Sequence, residues 1–179
     1  MQPSRELRRI AVIGAGSAGR DLALRCARTG FDVTLEDVMP SRLRGAQTAL
    51  ASEAPSGTLH LASTVEDAVR DADLAIDFVP DELESKLEIF SMLDRMAPPR
   101  TILCTPTSTL SIADLASCTY RPQLCFALRF LSANSAELIH TAHSAPEALA
   151  ATQHFLRTLG FTLVSRLDPL ATDKLTTQN

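Results

Sequence analysis

The chain has 179 residues, 45% of them hydrophobic and 21% charged, with a formal net charge of −4. That is enough apolar material for one domain with a sizeable core. The negative charge argues against a phosphate-backbone partner, and with no Trp and one Tyr little is available to stack on nucleic-acid bases. No stretch reaches the roughly 18 apolar residues that a membrane span needs. Arg5, Arg8 and Arg9 could open a signal peptide, but glycines soon break the apolar run that follows, and no cleavage pattern appears. A cytoplasmic protein is expected. The four cysteines, Cys26, Cys104, Cys118 and Cys125, form no Cys-x-x-Cys pair and no zinc signature. Buried structural thiols are the expectation.

Met1 to Glu6 reads as a frayed terminus. Ile10-Ala11-Val12-Ile13 is a short apolar run, expected as a buried strand, and it stops at Gly14-Ala15-Gly16-Ser17-Ala18-Gly19. Helical periodicity follows from Arg20 to Arg28, and Gly30 is expected as its C-cap. In such a strand–glycine–helix unit, Gly14 makes the tight turn, Gly16 admits a pyrophosphate and Gly19 lets helix pack on strand, with Ser17 and Ala18 between them. The helix N-terminus then faces an anion with free N–H groups. Phe31 to Asp37 reads as the second strand. Asp37 follows Gly19 at about the distance expected of an acid that binds a ribose 2′-hydroxyl. A carboxylate there repels a 2′-phosphate, so NAD is favoured over NADP.

Pro40-Ser41 opens a helix to about Ser52, with Ser41 as its expected cap. Leu59 to Leu61 is a short strand, Thr64 to Val69 a capped short helix, and Ala72 to Val79 a buried strand ended by Pro80. Glu82 to Met96 reads as an amphipathic helix with Leu83, Leu87, Phe90 and Leu93 inward. Pro98-Pro99 ends it. Strand Thr101–Cys104 runs into the hydroxyl-rich loop Thr105-Pro106-Thr107-Ser108-Thr109, and Ser111 caps a short helix. Strand 123–128, strand 136–141, helix 146–159 and strand 161–164 complete the pattern. Strands alternating with helices predict an α/β fold: a doubly wound, mainly parallel, Rossmann-like sheet in a single domain spanning 1–179, with a core at 6–166 and a tail from 167. Ligands in such sheets sit at the carboxyl ends of strands, which singles out Gly14–Gly19, Val79-Pro80-Asp81 and Thr105–Thr109.

Four segments resemble the N-terminal NAD-binding domain of the 3-hydroxyacyl-CoA dehydrogenase family: 10–19, 75–86, 105–112 and 121–130. The family oxidises the 3-hydroxyl of an acyl-CoA and passes hydride to NAD. The resemblance implies cofactor roles for Gly14, Gly16, Gly19 and Asp37, for Asp81 in place of a cofactor-side Glu, and for Lys86. It implies that Ser108 hydrogen-bonds the substrate oxygen. Lys86 read on its own is also compatible with a solvated helix residue, and Ser108 with a plain loop hydroxyl. The family's catalytic histidine falls at Arg129, which cannot act as a base near neutral pH. That histidine's Glu partner falls near His140 or Thr141, and the proline-rich loop between them is replaced by Leu131-Ser132-Ala133-Asn134-Ser135.

Two classes of function remain open. One is an NAD-dependent oxidoreductase acting on an acyl-CoA or another small hydroxy acid, with His140 as replacement base and Arg129 polarising or holding an acidic group. His140 could equally be a surface strand histidine. The other is a non-catalytic NAD-binding module, or one half of a split enzyme. Family members continue into a helical domain that completes the cleft and forms the dimer, and this sequence shows no such continuation. A homodimer or a partner helical domain is therefore expected.

Overall fold

The computed structural model describes residues 5–171. Its chain order is β1 (Arg9–Ile13), α1 (Ser17–Thr29), β2 (Asp32–Glu36), α2 (Pro40–Leu50), β3 (Thr58–Ala62), α3 (Val65–Val69), β4 (Leu74–Asp77), α4 (Leu83–Met96), β5 (Ile102–Pro106), α5 (Ile112–Ala116), β6 (Cys125–Ser132), β7 (Ser135–His140), α6 (Pro146–Thr158) and β8 (Thr162–Leu167). The strands form one sheet in the order β3-β2-β1-β4-β5-β6-β7-β8. The first six run parallel, and β7 turns back antiparallel to β6 with β8 parallel to it. The expected doubly wound sheet is therefore present, with a reversed hairpin at one side.

Central strands must be apolar on both faces when helices cover both. Accordingly, β1 after Arg9 and all of β4 are buried. Ile10 and Val12 point into a core with α1, α2 and α6, whereas Ala11 and Ile13 point into one with α3, α4 and α5. Order reverses between β1 and β4, since the chain goes first to β2 and β3 on one side and then crosses to β4 on the other. The ligand crevice of such a sheet lies at that reversal.

Three local expectations change. Met39 rather than Ser41 is the N-cap of α2, because Pro40 takes the first helical position, where its missing N–H costs nothing. Leu83 of α4 is 50% exposed, whereas Lys86 is 1% exposed. Hydrophobic spacing could not show a lysine paired inside. The last strand runs past the expected tail boundary to Leu167, and Asp168 is anchored: its Oδ2 accepts hydrogen bonds from the Ser111 hydroxyl at 2.7 Å and the Ala113 amide at 3.1 Å. Thr64 and Ser111 do cap their helices, accepting from the Asp67 and Asp114 amides. Cys26, Cys104 and Cys125 are buried and Cys118 half-buried, all as free thiols. The expected frayed terminus lies mostly outside the described residues, as does the tail from 172 onward. No helix among the described residues is long and apolar enough to cross a membrane.

Candidate functional site

The turn after β1 is fixed by sterics. Gly14 sits at φ +97°, a region L side chains avoid, with the Phe78 backbone against it. A Cβ on Gly19 would fall 1.9 Å from the Gly14 carbonyl oxygen, so only glycine lets α1 start this close to β1. Around Gly16 the space is open, with nothing within 4 Å of where a Cβ would stand. Gly16 is also the N-cap of α1, with no side-chain cap and no acid in the helix's first turn. Free N–H groups, a positive dipole end and open space form a cradle that fits a pyrophosphate.

Asp37 closes one end of this cradle. Its side chain is buried. Oδ2 accepts from the Ala15 amide at 2.8 Å and lies 3.4 Å from the Arg42 guanidinium, and Oδ1 accepts from the Met39 amide at 2.8 Å. Burial works against the charge, yet these donors hold the carboxyl below its ordinary range. Glu36 beside it is pushed the other way, by burial and by the charge of Asp37.

Across the reversal, the exits of β4, β5 and β6 meet in a cleft of about 320 Å³ lined by Phe78, Val79, Asp81, Lys86, Thr107, Ser108, Arg129 and Phe130. The Ser108 amide and hydroxyl both donate to Asp81 Oδ2, at 3.0 and 3.3 Å. Burial opposes the Asp81 charge, but the Thr107 hydroxyl, the Ser108 amide and the charge of Lys86 keep its carboxyl low. Lys86 forms the cleft's floor: its Nζ donates to Asp77 Oδ1 at 2.8 Å, both side chains being buried. Burial raises the Asp77 carboxyl despite the lysine. Pro80, next to Val79, lines a neighbouring cleft with Glu36.

Arg129 enters from β6. Its Nη2 donates to the Ser108 carbonyl at 3.3 Å and its Nη1 to Glu137 at 3.2 Å. Glu137 lies opposite Arg129 in the β6–β7 register, which is set by the two-residue turn at Ala133 and Asn134 together with a one-residue register shift between Phe130 and Ser132. The hairpin therefore puts Glu137, rather than His140 or Thr141, across from Arg129. The other oxygen of Glu137 binds Arg166 of β8 at 3.3 Å. His140 does not join the cluster. It follows Ile139, which pairs with Ala127, so it lies roughly 10 Å back along β6 from Arg129. Alternation also turns it to the opposite face from Glu137, and its Nδ1 lies 3.2 Å from the Thr141 carbonyl. This position removes it as a replacement base.

Residues 9–168 match the model of the 3-hydroxyacyl-CoA dehydrogenase NAD-binding domain. The chain belongs to the 3-hydroxyacyl-CoA dehydrogenase family. Within the family, it is 33% identical over 143 residues to a probable 3-hydroxybutyryl-CoA dehydrogenase of Bacillus subtilis, covering 71% of this chain and 50% of that protein. It is 28% identical over 171 residues to 5-formyl-3-hydroxy-2-methylpyridine 4-carboxylate 5-dehydrogenase of Mesorhizobium japonicum, covering 86% of this chain and 55% of that protein. Among solved structures, a diketoreductase superposes with a TM-score of 0.80 at 27% identity, covering 90% of this chain and 65% of that one. The chain thus spans about half the length of these curated relatives. It is an NAD-binding domain of this family, and NAD is its cofactor.

Asp77, Glu137 and Arg166 escaped the sequence reading. An acid nine residues before a lysine, or an arginine 29 residues after another acid, carries no signal until strand register brings them together.

Proposed function

We propose that this chain binds NAD and moves hydride between it and a small substrate bearing a hydroxyl, either a 3-hydroxyacyl-CoA or a similar hydroxy acid. The observation that carries this reading is the juxtaposition, at one sheet reversal, of the open glycine turn with the Asp81–Ser108–Arg129 cleft. Gly14, Gly16, Ser17, Ala18 and Gly19 would hold the pyrophosphate, Asp37 the adenosine ribose, and Val79, Pro80, Asp81 and Lys86 the nicotinamide end. Bound NAD would supply the hydride acceptor.

The protein's own groups would handle the substrate oxygen and its proton. Ser108 Oγ donates to Asp81, which leaves its lone pairs free to accept from a substrate hydroxyl. When the carbon gives up hydride, the hydroxyl proton would pass to Ser108 while the Ser108 proton passes to Asp81. Arg129 stays charged and would stabilise developing negative charge on oxygen. Calorimetric titration with NADH and then NADPH tests the cofactor site, and reduction of acetoacetyl-CoA tests the chemistry. NADH binding far tighter than NADPH, with turnover lost in Ser108→Ala, is expected. No NADH binding would sink the reading.

A second reading is favoured by Arg129 in place of the family's histidine: an NAD-binding module without turnover of its own, or one half of an enzyme completed by a second copy or a partner helical domain. A missing base costs about 10²–10⁴-fold in rate. NADH binding without turnover, restored by adding a separate helical domain, would establish the split form.

A further inference from the structure

Arg129 has more donor capacity than its neighbours use. A guanidinium carries five N–H donors. Nη1 gives to Glu137 and Nη2 to the Ser108 carbonyl, while the buried Nε finds no partner among the described residues. Nor is Glu137 a counter-ion for Arg129 alone, since Arg166 holds its other oxygen. Two guanidiniums share one carboxylate, which leaves one positive charge uncompensated at this end of the cleft. Lys86 is neutralised by Asp77 beneath the floor. The Asp81 carboxylate balances the cleft as a whole but is held by the Ser108 amide and hydroxyl on the cofactor side, away from the Arg129–Glu137–Arg166 end. Phe78, Leu128 and Phe130 supply apolar walls, where charge pairing is stronger than in water.

An arginine fork matches a carboxylate in shape as well as charge. A thioester carbonyl is neutral and offers it no counter-charge. We propose that Arg129 is a carboxylate subsite, so that the substrate is a short hydroxy acid with its acid group free. Arg129 bonds the backbone of Ser108 itself, so an acid on Arg129 and an oxygen on the Ser108 hydroxyl would belong to the same small molecule. This inference rests on the hydride-transfer reading above and specifies the other end of its substrate.

The test uses NADH-loaded protein with acetoacetate, its methyl ester and acetoacetyl-CoA as probes, reading both binding, through NADH fluorescence, and NADH consumption. Acetoacetate should bind and be reduced at least about tenfold better than the ester, as a charge-assisted contact implies. Arg129→Met should abolish that preference and Arg129→Lys keep part of it. Glu137 retains Arg166 in both variants, so the fold should hold, and an unchanged thermal melt checks it. Equal handling of acid and ester, a loss in Arg129→Met that falls on both alike, or a preference for acetoacetyl-CoA over acetoacetate overturns the subsite. With a normal NADH isotherm, these results leave the cofactor reading standing. An absent NADH isotherm overturns both.

Discussion

The two sides of the sheet reversal are built by different means. On the β1–α1–β2 side, backbone geometry decides almost everything: a positive φ at Gly14, a helix start too close for any Cβ at Gly19, and an acid whose oxygens take backbone amides. On the β4–β5–β6 side, side chains decide. A buried lysine stands on an aspartate, a serine on another, and one glutamate divides itself between two arginines. A backbone cradle tolerates little change and serves one ligand shape. Side-chain pairs can be exchanged singly, and Arg129 with its partners stands on that side.

The largest effect should come from breaking the floor. Lys86→Met strands the buried Asp77 carboxylate and should cost about 3–5 kcal/mol in urea unfolding, whereas Asp77→Leu with Lys86→Met should recover most of it. Recovery would show that the pair serves the cleft more than the fold. Next, Gly19→Ala forces helix from strand. It should lower stability by about 1–3 kcal/mol or more and remove NADH binding in calorimetry. Unchanged NADH binding would mean that the close approach of α1 is not what forms the cradle. Asp37→Ala should weaken NADH by roughly 10- to 150-fold, as loss of a charged hydrogen-bond acceptor implies, and narrow the gap to NADPH.

Smaller effects lie away from the cofactor. Ser111→Ala removes both the α5 cap and the hydroxyl bound by Asp168, and should cost about 0.5–2 kcal/mol in thermal or urea melts. The acid limb of stability offers the finest test. Asp37, Asp81 and Asp168 are held below the ordinary carboxylate range despite burial, by the hydrogen bonds they accept. Their stabilisation is full above the unfolded value of about 3.9 and is lost as pH falls through their lowered folded values. Asp77 acts oppositely, because burial raises it and its protonation favours the folded state. Melts below pH 4 should therefore show falling stability that Asp168→Asn partly flattens. A limb unchanged by that variant would mean that Asp168 does not pin β8 to α5.

Legibility in the sequence followed the same division. Glycine spacing, a terminal acid and apolar runs are local signals, and a backbone-built site consists of them. The order of elements, the caps at Thr64 and Ser111, and the sheet class were all readable for that reason. The burial of Lys86 on Asp77 escaped because spacing reports apolar faces and not a charge buried with its partner. His140 was misplaced because it lies three residues past Glu137 along β7, and an odd offset in a strand both moves the facing residue and flips its side.

By itself, the sequence determined a dinucleotide cradle at the end of β1, since each requirement there falls on neighbouring residues through backbone sterics. Only the tertiary structure decided what faces the cradle. Arg129 meets Glu137 through antiparallel register, Glu137 meets Arg166 through the next strand, and Lys86 meets Asp77 through the packing of α4 on the sheet. Charge pairs of this kind act through space, and their partners are set by the fold rather than by distance along the chain.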